Sequence, residues 1–174
     1  MSLIIPANSA AAGGFSVDNS CRFDEASGDY LNKTQGSGNR KKFTVSCWVK
    51  RCEVDDYVVM FAVHTNSSNY VRFMFHDAGY IEWDHYEGAE YSSALYRDPS
   101  AWYHCVLRYD SDQGTAGNRV RIYVNGEQVT SFSTANAPTS GRLTLVNNGN
   151  VHYIGRNYSN ETKNAMYLAE YVYL

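Results

Sequence analysis

Glu82, Asp84 and Glu87 are the residues whose type and spacing come nearest to a reaction. They stand in the run Glu82-Trp83-Asp84-His85-Tyr86-Glu87, and retaining cleavage of a glycosidic bond needs two carboxylates about 5 Å apart. If the run is a strand, alternation puts Glu82 and Asp84 on one face, and a bulge would bring Glu87 round to join them. Chance competes strongly with this reading. With 18 acidic residues in 174, three specified acidic positions arise on the order of 0.2 times per chain of this composition. The plainer expectation is a solvated polar strand, and no enzymatic activity is expected.

Aromatic residues supply the second candidate chemistry. The chain has 15 tyrosines, more than a core needs, and aromatic faces stack on sugar rings while Asn, Asp and Arg side chains address hydroxyls. Trp83, His85, Tyr86 and Tyr91, with Arg97 close in sequence, make the expected carbohydrate-binding platform. Tyrosine is also a good strand residue, so most of the others are expected to be structural. Trp48 and Trp102 are expected to pack and seal a core. The histidines at 64, 76, 85, 104 and 152 and the cysteines at 21, 47, 52 and 105 match no transition-metal spacing. No cofactor is expected, and the cysteines read as free thiols.

The elements that must position these side chains are strands. Alternation and β-branched or aromatic enrichment mark Cys21 to Asp24, Tyr30 to Lys33, Phe43 to Lys50, Tyr57 to Thr65, Tyr70 to His76, Tyr80 to Tyr86 and Glu90 to Tyr96. Trp102 to Asp110 and Arg119 to Val124 follow, then Glu127 to Ser133, Leu143 to Val146, His152 to Arg156 and Met166 to Leu174. Asn125-Gly126 supplies the two positive-φ positions of a type I′ turn, so Glu127 onward returns antiparallel. Short turn signals such as Ser27-Gly28, Ala78-Gly79 and Asn147 to Asn150 separate the strands. With no helix, internal repeat or heptad, this spacing predicts an all-β, two-sheet antiparallel sandwich.

Residues along the chain resemble a known family. Cys21-Arg22-Phe23, Asp29-Tyr30-Leu31, Phe43 to Lys50, Trp102-Tyr103-His104, Tyr123-Val124-Asn125-Gly126, Tyr153-Ile154-Gly155-Arg156 and Tyr167-Leu168-Ala169-Glu170 are similar to laminin-G-like domains of the concanavalin A-like lectin and glucanase superfamily. The resemblance is nearest to domains of tail-fibre and other virion proteins of tailed bacteriophages. It implies a jelly roll at residues 19–174. The residues before it read as an N-terminal arm at 1–18, in which Leu3 to Ile5 pairs along an edge or docks on a neighbouring subunit, or else as a frayed terminus. The resemblance also implies that the natural chain continues past Leu174. In jelly-roll glucanases the E-x-D-x-x-E pattern holds nucleophile, assisting aspartate and general acid, but here Trp83 and His85 replace the aliphatic residues around it. Relatives also hold calcium on loop carboxylates, whereas the loop after Gly155 reads Arg-Asn-Tyr-Ser-Asn-Glu, poorer in acid. Pairing of the Phe43 and Trp102 strands, as in related sandwiches, would set Cys47 beside Cys105.

Composition narrows the partners. A chain of 174 residues with 44% apolar content buries about 70% of its unfolded surface as one domain. The net charge of −3 and the absence of a basic cluster longer than Arg40-Lys41-Lys42 argue against nucleic acid. The longest apolar run, Tyr57 to Val63, falls far short of the roughly 20 residues of a membrane helix. The resemblance implies the function of a phage virion structural domain made in the cytoplasm of the infected bacterium. It would serve as a host-surface glycan-binding or display module, or purely as a capsid or tail contact or decoration module. Expected partners are other virion proteins, host glycan and further copies of the chain. With no coiled coil available, a trimer would assemble through strand edges or sandwich faces.

Overall fold

The computed structural model describes residues 19–157 and 164–174, so the expected arm at 1–18 lies outside the described residues. Thirteen strands follow one another: β1 (Cys21–Phe23), β2 (Leu31–Thr34), β3 (Lys42–Arg51), β4 (Val58–Asn66), β5 (Asn69–Phe75), β6 (Ile81–His85), β7 (Gly88–Ser92), β8 (Tyr103–Asp110), β9 (Val120–Val124), β10 (Glu127–Gln128), β11 (Phe132–Ala135), β12 (Val151–Ile154) and β13 (Met166–Tyr173). A 3-10 turn at Ala116–Asn118 is the sole helical piece among the described residues, and no helix there is long and apolar enough to cross a membrane. The strands form two antiparallel sheets, ordered β1-β13-β3-β8-β9-β10 and β11-β7-β6-β5-β4-β12-β2. This is the two-sheet antiparallel sandwich that the strand spacing predicts and the jelly roll that the resemblance implies.

Period-two burial explains how the sheets stack. In β3, Phe43, Val45, Cys47 and Val49 are buried while Thr44, Ser46, Trp48 and Lys50 are only half-buried, and β8 and β9 alternate likewise. Cys47 stands directly opposite Cys105, as the resemblance implied, and burial pushes its thiol pKa up to about 12. The centre of the core is aromatic. The Phe43 ring stacks on Tyr109 with centroids 4.9 Å apart and meets Trp83 edge-on at 5.9 Å, a geometry that adds about 0.5–1.5 kcal/mol per pair beyond burial.

One charged residue is built into this interior. Arg51 is fully buried and donates to the carbonyls of Tyr96 (2.8 Å), Val54 (2.8 Å) and Asp56 (3.0 Å). Its guanidinium also lies over the Phe75 ring. With a further bond to His76 O at 3.3 Å, a single cation ties three connections together and satisfies carbonyls that no ladder reaches. No sequence pattern singles it out.

Two expected strands differ from the prediction. Glu127 to Ser133 is not one strand, because β10 closes the six-stranded sheet and β11 pairs with β7 in the other. Residues 129–131 are the crossing between sheets. Leu143 to Val146 is irregular because its polar groups are satisfied outside any ladder. Thr144 donates through N and Oγ1 to Arg40 O, and Arg40 Nε donates back to Thr144 O.

The β9–β10 hairpin closes as expected, with Asn125 at φ 53° and Gly126 at φ 84° and Glu127 paired to Val124. A Cβ on Gly126 would meet nothing within 4 Å, so a substitution there tests backbone strain alone. Gly126→Val is expected to lower stability by about 1–2 kcal/mol. Equal chemical-denaturation midpoints for the two proteins would show that the turn tolerates a β-branched residue.

Candidate functional site

The outer face of the seven-stranded sheet is built by β4 to β7. Trp83 points between the sheets, so its neighbours Glu82 and Asp84 on β6 must point the other way. Register sets Met74 of β5 and Tyr91 of β7 beside Glu82, and Arg72 and Ala89 beside Asp84. Tyr70 and Arg72 share this phase. The signal was available in the sequence, since 70, 72, 80, 82 and 84 all stand at even positions of two expected strands.

Three ionisable groups share that face. Arg72 donates from Nε (3.0 Å) and Nη2 (2.7 Å) to Asp84 Oδ2, which also accepts from the Tyr70 hydroxyl at 3.3 Å. The same Arg72 Nε lies 3.5 Å from Glu82 Oε1. Glu82 is 0% exposed, and neither of its carboxylate oxygens has a hydrogen-bond partner. Burial, opposed by Arg72 and reinforced by Asp84, pushes its pKa up to about 8. The expectation of a solvated polar strand is therefore wrong for β6, all five of whose residues are buried.

Beside this trio runs a ladder of half-buried rings. Tyr57 meets His76 edge-on at 4.9 Å, His76 stacks on Tyr80 at 4.4 Å, and Tyr80 stacks on Tyr91 at 5.1 Å. Burial and the nearby carboxyls raise the Tyr91 hydroxyl to about 12 and lift Tyr80 as well. Both phenols stay protonated at neutral pH and can donate to a ligand.

The expected platform is not assembled as one surface. Of its members only Tyr91 lies on this outer face. Trp83 is 0% exposed between the sheets and His85 is 6% exposed, both on the inner phase of β6, where a sugar cannot stack on them. Tyr86 follows at the β6–β7 turn, 58% exposed. Arg97 lies at the opposite end of β6, across Gly79, and donates to Ala78 O at 2.8 Å. Nor does Glu87 join Glu82 and Asp84, because no bulge follows Asp84 and Glu87 pairs at the turn with Arg142. The tryptophan expectation is also corrected. Trp48 stacks on His104 on the outer side of the six-stranded sheet, and Trp102 is 37% exposed nearby.

Among the described residues, metal ligation has one geometric candidate. Ligand oxygens of Glu25, Glu53 and Asp56 lie within 4.8 Å of one another, a separation suited to a hard cation. These residues are partly exposed, and such clusters are common without an ion. The loop considered for calcium falls largely outside the described residues.

Comparison with known proteins settles the family. A laminin-G-type family model described as the concanavalin A-like lectin/glucanases superfamily matches residues 25–170. The chain belongs to this superfamily. Among solved structures of that kind, domains LG4-5 of the mouse laminin alpha1 chain superpose with a TM-score of 0.62 at 16% identity, over 90% of this chain and 42% of that one. A candidate carbohydrate binding protein from Bacteroides ovatus gives 0.58 at 20%, over 83% and 40%. The CBM40 module of a Ruminococcus gnavus IT-sialidase, bound to alpha2,3 sialyllactose, gives 0.52 at 10%, over 88% and 91%. At these identities the likeness is one of fold, and the chain spans less than half the length of the first two. No curated protein matches significantly.

The raised Glu82 pKa has a testable sign. A carboxyl held at about 8 in the fold against an ordinary 4.5 leaves stability intact below 4.5 and erodes it as pH climbs through 8. Glu82→Gln is expected to match the parent at pH 4.5 and to exceed it at pH 9 by several kcal/mol, up to the roughly 5 kcal/mol that linkage assigns to a carboxyl displaced from 4.5 to about 8. Thermal midpoints that differ by the same amount at both pH values would show that Glu82 does not titrate in this window.

Proposed function

We propose that this domain is a non-catalytic, lectin-like module that binds glycan on the outer face of its seven-stranded sheet. The observation that carries this reading is the Tyr57-His76-Tyr80-Tyr91 ladder beside the Arg72, Asp84 and Glu82 trio. Ring edges and the terminal ring of the stack pack on the apolar faces of a pyranose, and the partly exposed Arg72 guanidinium and the phenol hydroxyls take its hydroxyls. The lectin-like fold and the carbohydrate-binding character of several structural neighbours support it.

The same geometry argues against hydrolysis. A retaining pair must flank the scissile bond, yet Glu82 and Asp84 both face one guanidinium, with Arg72 Nε 3.5 Å from the first and 3.0 Å from the second. The arginine occupies the space between them. Glu87, the third member of the motif, is tied to Arg142 at the turn. Release of reducing ends from β-glucans, agars or bacterial lipopolysaccharide is expected to be nil, and activity lost on Glu82→Gln would overturn the non-enzymatic reading.

The setting proposed is a virion of a tailed phage, as part of a tail fibre or related structural protein made in the infected cell. The second reading, a contact module within the particle, is favoured by the exposed apolar residues Leu31 (50%) and Val172 (45%) on β2 and β13. A homotrimer built through the β2 edge and the exposed part of β13 suits either use.

Two measurements separate these readings. On an array of bacterial surface glycans, the parent is expected to bind, and the Tyr80→Ala, Tyr91→Ala double variant to lose about tenfold or more in affinity, since each stacking ring contributes about 0.5–1.5 kcal/mol. Binding unaffected by both changes would remove the ladder from the site. Sedimentation of the 174-residue chain is expected to show a trimer, and a single monomeric species at micromolar concentration would assign assembly to other parts of the particle.

A further inference from the structure

A second concentration of polar chemistry lies at one end of the sandwich, away from the ring ladder. There the β4–β5 turn, the β6–β7 turn and the irregular segment 141–146 enclose a cavity of about 200 Å³. Tyr109, Val71, Thr144 and His85, 1%, 4%, 5% and 6% exposed, are its most buried lining residues, and Tyr86, 58% exposed, stands at its mouth. Arg40 and Arg142 also line it. The volume is below the roughly 300–1,000 Å³ of sites for drug-sized ligands, so it suits one sugar ring rather than a chain of them.

The electrostatics of this cavity favour an anion. Arg40 and Arg142 are opposed nearby by Glu87, which pairs with Arg142. Glu90 sits behind His85, with Oε2 3.8 Å from Nε2, and burial holds its pKa up at about 8. It is therefore mostly uncharged at neutral pH and does not cancel the arginines. Burial likewise lowers the His85 pKa. Neutral His85 donates from Nε2 to Asn136 O at 3.2 Å, which leaves Nδ1 as an acceptor for a ligand hydroxyl.

We propose that this end pocket is a saccharide subsite selective for a pyranose carrying a carboxylate. Arg142 takes the carboxylate, the Tyr86 ring packs on the sugar face, and His85 Nδ1 accepts a hydroxyl. Glu87 acts as a placeholder. Its pair with Arg142 is partly exposed, 31% and 39% at the two side chains, and exposed pairs are weak enough to exchange for a ligand carboxylate. A guanidinium meets a carboxylate through two parallel hydrogen bonds, which a hydroxymethyl group cannot reproduce.

The test is calorimetric titration of the full chain with methyl glucuronide, methyl glucoside and acetate, which differ in the carboxylate or the ring. The glucuronide is expected to bind at least about tenfold more tightly than either of the others. Arg142→Gln should weaken it about tenfold or more, and Glu87→Gln, which removes the competing carboxylate, should strengthen it. A gain in affinity on Glu87→Gln cannot come from misfolding, so that variant keeps the test decisive if Arg142→Gln is unstable. Equal affinity for glucuronide and glucoside, acetate binding as tightly as glucuronide, or no binding of any of the three would each overturn the proposal. The Tyr80→Ala, Tyr91→Ala double variant should retain glucuronide binding here, so failure of this pocket and failure of the sheet-face reading are distinguishable.

Discussion

Burial of Trp83 between the two sheets is the constraint on which the remaining architecture turns. The ring is 0% exposed and packs among Phe43 and Tyr109, and β6 runs through the middle of the seven-stranded sheet. Side chains on a strand alternate without exception at this spacing. Once Trp83 is inside, Glu82 and Asp84 must be outside, in register with Tyr91 and Arg72. A one-residue slip would bury both acids in the core and eject the tryptophan. The polar face and the hydrophobic core are therefore two sides of a single packing decision.

Charge is distributed to suit that decision. Asp84 is compensated by Arg72 and Tyr70, and the buried Arg51 is compensated by backbone carbonyls. Glu82 and Glu90, by contrast, have carboxylate oxygens without hydrogen-bond partners and respond by holding their protons. Uncompensated buried carboxyls lower stability at high pH. They lie on opposite faces of the neighbouring strands β6 and β7, one beside the ring ladder and one behind the end pocket, which is where groups retained for binding rather than stability would be found.

The same superfamily fold serves lectins and hydrolases, so fold alone does not choose between them. In this chain one arginine, Arg72, faces both motif carboxylates on β6. That arginine makes a polar surface suited to hydroxyl recognition. The tyrosine surplus has a matching division of labour. Tyr103 and Tyr109 fill the core, whereas Tyr80 and Tyr91 build a wall that a ligand can touch.

By itself the sequence determined what local rules determine. Period-two patterning in Phe43 to Lys50 and Trp102 to Asp110, and the Asn125-Gly126 pair, specify strands and a type I′ turn whatever else the chain does, because steric alternation and positive φ act within a few residues. The Glu82, Asp84 phase and the Tyr70, Arg72 phase were legible for the same reason. Tertiary structure alone decided which face of β6 is inside, since Trp83 and Glu82 alternate equally well either way and only the apposed Phe43 and Tyr109 break the tie. It also sent the chain from β10 to β11 across the sandwich, left Leu143 to Val146 irregular by offering Arg40 as partner, and separated Tyr86 and Arg97 by the length of a strand. Neighbours in sequence became neighbours in function only where the sheet register allowed it, and register depends on contacts between residues far apart along the chain.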